Sequence, residues 1–157
     1  MRTGAAWAKL DRAQESLEQC ELFQDLSTRE LMEVAALAEE IQLKADTLLL
    51  KEGEPARYLY IVLEGRGVAQ LKMGGAFLSL GLVGPADAAG WSSMVEDQTY
   101  PASVRALSPM RVARIDAGRL ARLMELDTSM GYSVGKRLSL LFCGQYKGAL
   151  EAFRTSK

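Results

Sequence analysis

Histidine is absent from all 157 residues, and that absence excludes more chemistry than any residue present invites. A β-roll metalloenzyme usually holds its metal through two or three histidines and a carboxylate, and this chain cannot supply them. Serine–histidine and cysteine–histidine nucleophile pairs are ruled out for the same reason, as is a histidine-ligated haem. Cysteine is scarce as well. Cys20 and Cys143 are too few for a four-thiolate cluster, and their positions near separate apolar helix faces read as buried free thiols rather than a disulfide. No apolar run approaches the ~18 residues of a membrane span. The Met1–Cys20 segment is too polar for a secretory leader, because Asp11, Arg12, Glu15 and Glu18 interrupt it. These absences lead to the expectation of a cytoplasmic, non-enzymatic chain without a membrane span.

What is present suits one domain able to bury a core without metal or disulfide support: 48% hydrophobic and 25% charged residues. The net charge of −1 conceals a division along the chain. Residues 1–98 hold 9 Lys and Arg against 16 Asp and Glu, whereas residues 99–157 hold 10 against 4. Two readings stand: the halves pack together and neutralise each other, or the basic half faces an acidic partner or another protomer. Nucleic acid is a poor partner for this chain, with its acidic pI of about 5.6 and no room for a helix-turn-helix before Lys157.

Leu10, Ala13, Leu17 and Cys20 recur at helical steps, predicting a helix over roughly 8–21. Ser27 followed by Glu30 is a capping box that opens a second helix ending near Glu40. From Ile41 the period shortens to two, and strands are expected at 41–45, 47–50, 58–63, 68–73, 76–80, 102–107 and 111–115. Gly74-Gly75 is a hairpin turn. Gly53, Gly65 and Gly84 punctuate strand-like runs where turns often need positive φ. Asp116 caps a helix over about 117–127, and a long one follows to about 155 with an apolar stripe through Met130, Val134, Leu138, Phe142, Tyr146, Ala149 and Phe153. Gly131, Gly135, Gly144 and Gly148 weaken that helix, implying close packing, a kink or context-dependent helicity. The fold class is therefore mainly β: a jelly-roll-like β-roll over about 41–116, with N-terminal helices and two C-terminal helices.

The order of elements and several motifs resemble the cyclic nucleotide-binding domain family over roughly residues 20–157. The carriers are Leu22-Phe23-Gln24-Asp25-Leu26, Lys51-Glu52-Gly53-Glu54, Leu59-Tyr60-Ile61-Val62-Leu63-Glu64-Gly65-Arg66, Val83-Gly84-Pro85-Ala86-Asp87, Ala102-Ser103-Val104-Arg105-Ala106-Leu107 and Val112-Ala113-Arg114-Ile115-Asp116. The resemblance divides the chain into an N-terminal helix, 1–21, and the domain itself, 22–157. It also implies a phosphate-binding cassette in Gly90, Trp91, Ser92, Ser93, Tyr100, Ala102 and Ser103. In the family a glutamate follows the glycine and accepts from the ribose hydroxyl, while an arginine further on neutralises the cyclic phosphate. Here Trp91 stands in the glutamate's place and Tyr100 in the arginine's.

On local sequence, Gly90 before a short helical stretch at 91–96, with the hydroxyls of Ser92 and Ser93, is also an ordinary helix start. Hydrogen bonds to charged groups contribute ~1.5–3 kcal/mol each, so losing both family contacts costs ~3–6 kcal/mol, a hundred- to ten-thousandfold in affinity. Arg105 lies two residues past Ser103 and is not expected to replace the missing cation. Trp91 and Tyr100 either fill a disused site or stack a flat ligand.

Two functions compete. One is a regulatory sensor, weak or inactive toward cAMP and cGMP, that takes a small anionic or nucleotide-like ligand or acts through protein contacts. The other is a homodimerisation or docking module using the Leu138, Phe142, Tyr146, Ala149, Phe153 stripe, which otherwise packs on its own barrel. No cofactor is expected beyond a doubtful cyclic nucleotide. Glu96-Asp97, an adjacent acidic pair beside the cassette, reads as a loop cap rather than a catalytic pair.

Overall fold

The computed structural model describes residues 13–156. Residues 13–19 are helical (α1) and lead into a 3-10 turn, Glu21–Phe23, then α2 (Thr28–Leu37). Eight strands follow: β1 (Ala38–Leu43), β2 (Leu48–Leu50), β3 (Tyr58–Glu64), β4 (Gly67–Met73), β5 (Ala76–Val83), β6 (Ala88–Ala89), β7 (Ser103–Ala106) and β8 (Met110–Asp116). The chain then forms α3 (Ala117–Leu126) and α4 (Thr128–Thr155). The expected helical residues 8–12 lie outside the described part of the chain.

The strands form two four-stranded antiparallel sheets, ordered β1-β8-β3-β6 and β2-β7-β4-β5. β3 shows why the roll needs helices. Successive residues of a strand point to opposite faces. Tyr60 and Val62 join Leu50, Val104, Met110 and Val112 in one buried cluster that draws on both sheets. Leu59, Ile61 and Leu63 join a second cluster with Phe23, Val34, Leu120, Met130 and Val134 from the flanking helical segments. β3 is therefore apolar on both faces, which is why its sequence reads as an unbroken run rather than an alternation.

Helix starts follow the sequence closely. Ser27 Oγ accepts from Glu30 N at 3.2 Å while Glu30 Oε1 accepts from Ser27 N at 3.0 Å. Asp116 caps α3 through Arg119 N at 3.0 Å, and Asp127 caps α4 through Met130 N at 3.1 Å. One helix end is misread. α2 stops at Leu37, and the chain passes directly into β1 at Ala38, so Glu39 and Glu40 are strand residues. No glycine or proline marks that junction. The roll accordingly begins at 38 rather than 41, β5 runs on to Val83, and the two-residue β6 was not foreseen. Gly84 does not take a positive φ; Ala86 does, at +70°. Gly65 fits its expectation in full: at φ +86° a Cβ there would lie 2.2 Å from Pro109 O.

The charge division resolves inside one sheet. β8, from the basic half, lies between β1 and β3 of the acidic half. Arg111 pairs with Glu40 at 2.7 Å and Glu64 at 2.6 Å, and Arg114 pairs with Glu39 at 2.6 Å. Arg114 also sits 4.6 Å from the centroid of the Tyr58 ring, a cation–π contact. Both cysteines are free, but only Cys20 is buried; Cys143, expected on a buried face, is exposed on α4.

The apolar stripe of α4 divides in two. Met130 and Val134 are fully buried, and Leu138 packs against their cluster. Phe142, Tyr146 and Phe153 are 40%, 65% and 80% exposed, and Ala149 is exposed as well. The four glycines divide likewise. A Cβ on Gly131 would meet Met124 O at 2.8 Å, so α3 and α4 cross closely there, whereas Gly135, Gly144 and Gly148 have nothing within 4 Å.

Candidate functional site

A cavity of about 950 Å³ opens where the loop after β6 meets β5, the first 3-10 turn and α4. That volume is at the upper end of small-molecule sites. Gly90, Trp91, Ser92, Tyr100 and Ala102 line it; Ser93 and Ser103 do not. The sequence thus brings five of seven expected cassette residues to one wall.

Gly90 sets the local geometry. Its φ of +80° turns the chain out of β6, and a Cβ there would meet Tyr58 O at 2.8 Å and Tyr100 Cε1 at 3.1 Å. The segment beyond it is a single 3-10 turn, Trp91–Met94, shorter than the expected helix over 91–96. Ser93 Oγ donates back to Gly90 O at 2.6 Å, which closes the turn and removes that hydroxyl from the cavity. Ser92 lines the cavity, but its Oγ is buried away from solvent and has no hydrogen-bond partner. Ser103 Oγ accepts from Glu52 N at 2.9 Å, tying β7 to the turn after β2.

Tyr100 is 5% exposed, and its hydroxyl donates to Tyr58 O at 2.7 Å while accepting from Tyr58 N at 3.1 Å. Its backbone is fixed too: Tyr100 N donates to Glu54 O and Tyr100 O accepts from Gly53 N. Burial raises the phenol pKa above its usual range. The residue therefore stays neutral, with its polar end committed to β3. Trp91 reaches the other way. Its Nε1 donates to Ala88 O at 2.8 Å, and its ring meets the Phe142 ring of α4 edge-on, 6.1 Å between centroids.

Arg105 points elsewhere: Nη1 donates to Asp46 O at 2.8 Å and Nε to Gln70 Oε1 at 3.4 Å. Among the described residues that line the cavity there is no lysine or arginine; the formal charges are those of Glu21 and Asp87. Neither was read as a site residue in the sequence, although Asp87 ends the Val83–Asp87 motif, because their position follows from how the first 3-10 turn and the loop after β5 pack here. Cys20 stands beside them, buried, and its thiol is pushed up to about 11 by burial first and then by the charges of Asp87 and Glu21.

Comparison with known proteins places this geometry. The sequence model described as the cyclic nucleotide-binding domain matches residues 40–127. A cyclic nucleotide-binding domain from Methylobacillus flagellatus KT superposes with a TM-score of 0.80 at 22% identity, over 96% of this chain and 85% of that one. The sensor domain of the transcriptional regulator DNR from Pseudomonas aeruginosa superposes with a TM-score of 0.72 at 21% identity, over 88% of this chain and 94% of that one. The regulatory domain of Toxoplasma gondii PKA, solved with cAMP, gives 0.68 at 24% identity, over 75% of this chain and 44% of that one.

Proposed function

Because the chain belongs to the cyclic nucleotide-binding domain family, we propose that it is a non-enzymatic regulatory or sensor module whose cassette has little or no affinity for cAMP and cGMP. The observation that carries this reading is Tyr100. Where the resemblance expects a phosphate-neutralising arginine stands a buried phenol whose hydroxyl already serves both backbone groups of Tyr58. Trp91, in the place of the sugar-binding glutamate, offers an indole whose only polar atom is held by Ala88 O. A cyclic phosphate entering this cavity would lose its water and gain no cation.

The regulatory part of the reading draws on relatives: one is the regulatory domain of a kinase, another the sensor domain of a transcriptional regulator. Output would pass through α4, which touches the cassette at Phe142. Thermal unfolding with millimolar cAMP and cGMP tests the proposal. A ligand at a hundred times its dissociation constant adds about 2.7 kcal/mol, which raises the midpoint by roughly 5–10 °C in a domain of this size. No shift is expected; a shift of that size would overturn the reading.

One observation favours a second function, pairing with another copy of the chain. Beyond Gln145, α4 continues for nearly three turns, to Thr155, with every residue exposed, including Tyr146, Leu150 and Phe153. An isolated helical end carrying Gly144 and Gly148 is marginal in water, and no side chain fills the space at either glycine. A second α4 laid against this face would cover the apolar residues. Sedimentation of the intact chain is expected to give a dimer that Phe153→Glu dissociates; a monomer at all concentrations would remove this reading.

A further inference from the structure

Charge and polarity around the cavity describe the ligand it suits better than the family's name does. Its lining is largely apolar and includes Leu50, Leu80, Leu82 and Val104 together with the Trp91–Phe142 pair. Two exposed carboxylates, Glu21 and Asp87, are among its lining residues, neither in an ion pair among the described residues. Asp87 Oδ2 accepts from Gly84 N at 2.8 Å, which fixes that carboxylate in place. Arg137, whose charge interacts with Glu21, is itself held to Asp25 by bonds of 2.7 and 2.9 Å and does not line the cavity. Both acids add to burial, the main cause, in raising the pKa of the neighbouring Cys20 thiol.

We propose that this cavity binds an apolar amine: a molecule with an aromatic or aliphatic body against Trp91 and Phe142 and a protonated nitrogen beside Glu21 and Asp87. It excludes phosphates and carboxylates by the same negative charges. The inference rests on the reading above that the cassette no longer serves cyclic nucleotides, and it adds the class of molecule the site takes instead. The aromatic pair supplies a stacking and cation–π surface that suits an amine, and the two acids discriminate by sign, because what attracts a cation repels an anion.

A matched pair of fluorophores tests it. Dansylcadaverine carries a positive amine and dansylglycine a negative carboxylate on the same ring system. Both are titrated into the intact chain with Trp7→Phe, so that Trp91 is the sole energy donor to the dansyl group. Dansylcadaverine is expected to bind saturably with energy transfer from Trp91, about tenfold tighter than dansylglycine, since each exposed carboxylate changes affinity by a small factor of opposite sign for the two probes. Glu21→Gln and Asp87→Asn, conservative changes on the surface, are expected to narrow that gap together. Equal or tighter binding of dansylglycine overturns the proposal. So does binding of the amine without transfer from Trp91, or no binding of either probe at millimolar concentration. A thermal shift with cAMP would instead overturn the reading on which this one stands, so the two failures are told apart.

Discussion

The Tyr100 hydroxyl both donates to and accepts from the backbone of a single residue, Tyr58, at 2.7 and 3.1 Å. The phenol thereby braces the start of β3 against the strand approach to β7. Tyr100→Phe leaves a part-buried carbonyl and amide of Tyr58 without that partner, and is expected to cost about 1–3 kcal/mol. Urea denaturation measures the loss, and cyclic nucleotide binding is expected to be as absent in the variant as in the parent.

Trp91 and Phe142 join the cassette to α4 through an edge-to-face ring contact. A double-mutant cycle of Trp91→Leu and Phe142→Leu is expected to yield a coupling of about 0.5–1.5 kcal/mol. Hydrogen exchange over 142–155 should accelerate in either single variant. Unchanged exchange would mean that the helical end holds its structure without the cassette.

Gly53 and Gly90 have similar backbone angles, φ +85° and +80°, but different surroundings. Gly53→Ala is expected to cost about 1–2 kcal/mol, the left-handed penalty alone. Gly90→Ala must also displace Tyr58 O or the Tyr100 ring, and should cost measurably more in the same urea series.

Restoring charge to the cassette should restore the family's ligand. Trp91→Glu with Tyr100→Arg is expected to raise cAMP affinity by about a hundredfold or more over the parent, on the basis of two charge-assisted contacts. Calorimetric titration reads this directly. A folded double variant that stays silent would move the cause from the missing charges to the shape of the cavity.

Alkaline pH gives an independent check on the buried thiol. The pKa of Cys20 is raised in the folded state from 9.0 to about 11, so the neutral form favours folding. Its contribution, about 2–3 kcal/mol, is full below pH 9 and is lost as pH rises toward 11. Tyr60, pushed up mainly by burial to about 12, adds a further loss beginning near pH 10. In Cys20→Ala the midpoint in urea should therefore stay flat until about pH 10, one unit later than in the parent.

Much of this fold was legible because its decisive signals are local. Ser27 with Glu30, and Asp116, mark helix starts through side chains that reach only three residues; the Asp127 cap of α4 was not read. Gly74-Gly75 sits between Met73 and Ala76, which pair directly across the turn. The end of α2 was not legible. Leu37 and Ala38 continue both a helical face and a strand, and only pairing of Ala38 with Ile115 decides between them. The cassette divided in the same way. Its frame, Gly90 to Ala102, was placed by the family resemblance, but Ser103 turned out to serve Glu52 N, and Ser93 its own turn. Glu21 and Asp87 became visible only once separate segments met at the cavity. The α4 stripe was read as one surface, yet the roll ends beneath Leu141 and the helix does not.

The placement of β8 has a consequence for how the chain emerges during synthesis. β8 is the last strand made, yet it stands between β1 and β3, and β7 likewise stands between β2 and β4. While residues up to about 100 are leaving the ribosome, only the β4–β5 hairpin and the brief β3–β6 pairing have their partners. β1 and β2 wait as unpaired edges until Ser103–Asp116 arrives. Such edges invite pairing with other chains, and a product that stops before Met110 lacks the strand that joins β1 to β3. The domain is therefore assembled from its end backwards, with the final third of the message deciding whether the first two thirds become a protein.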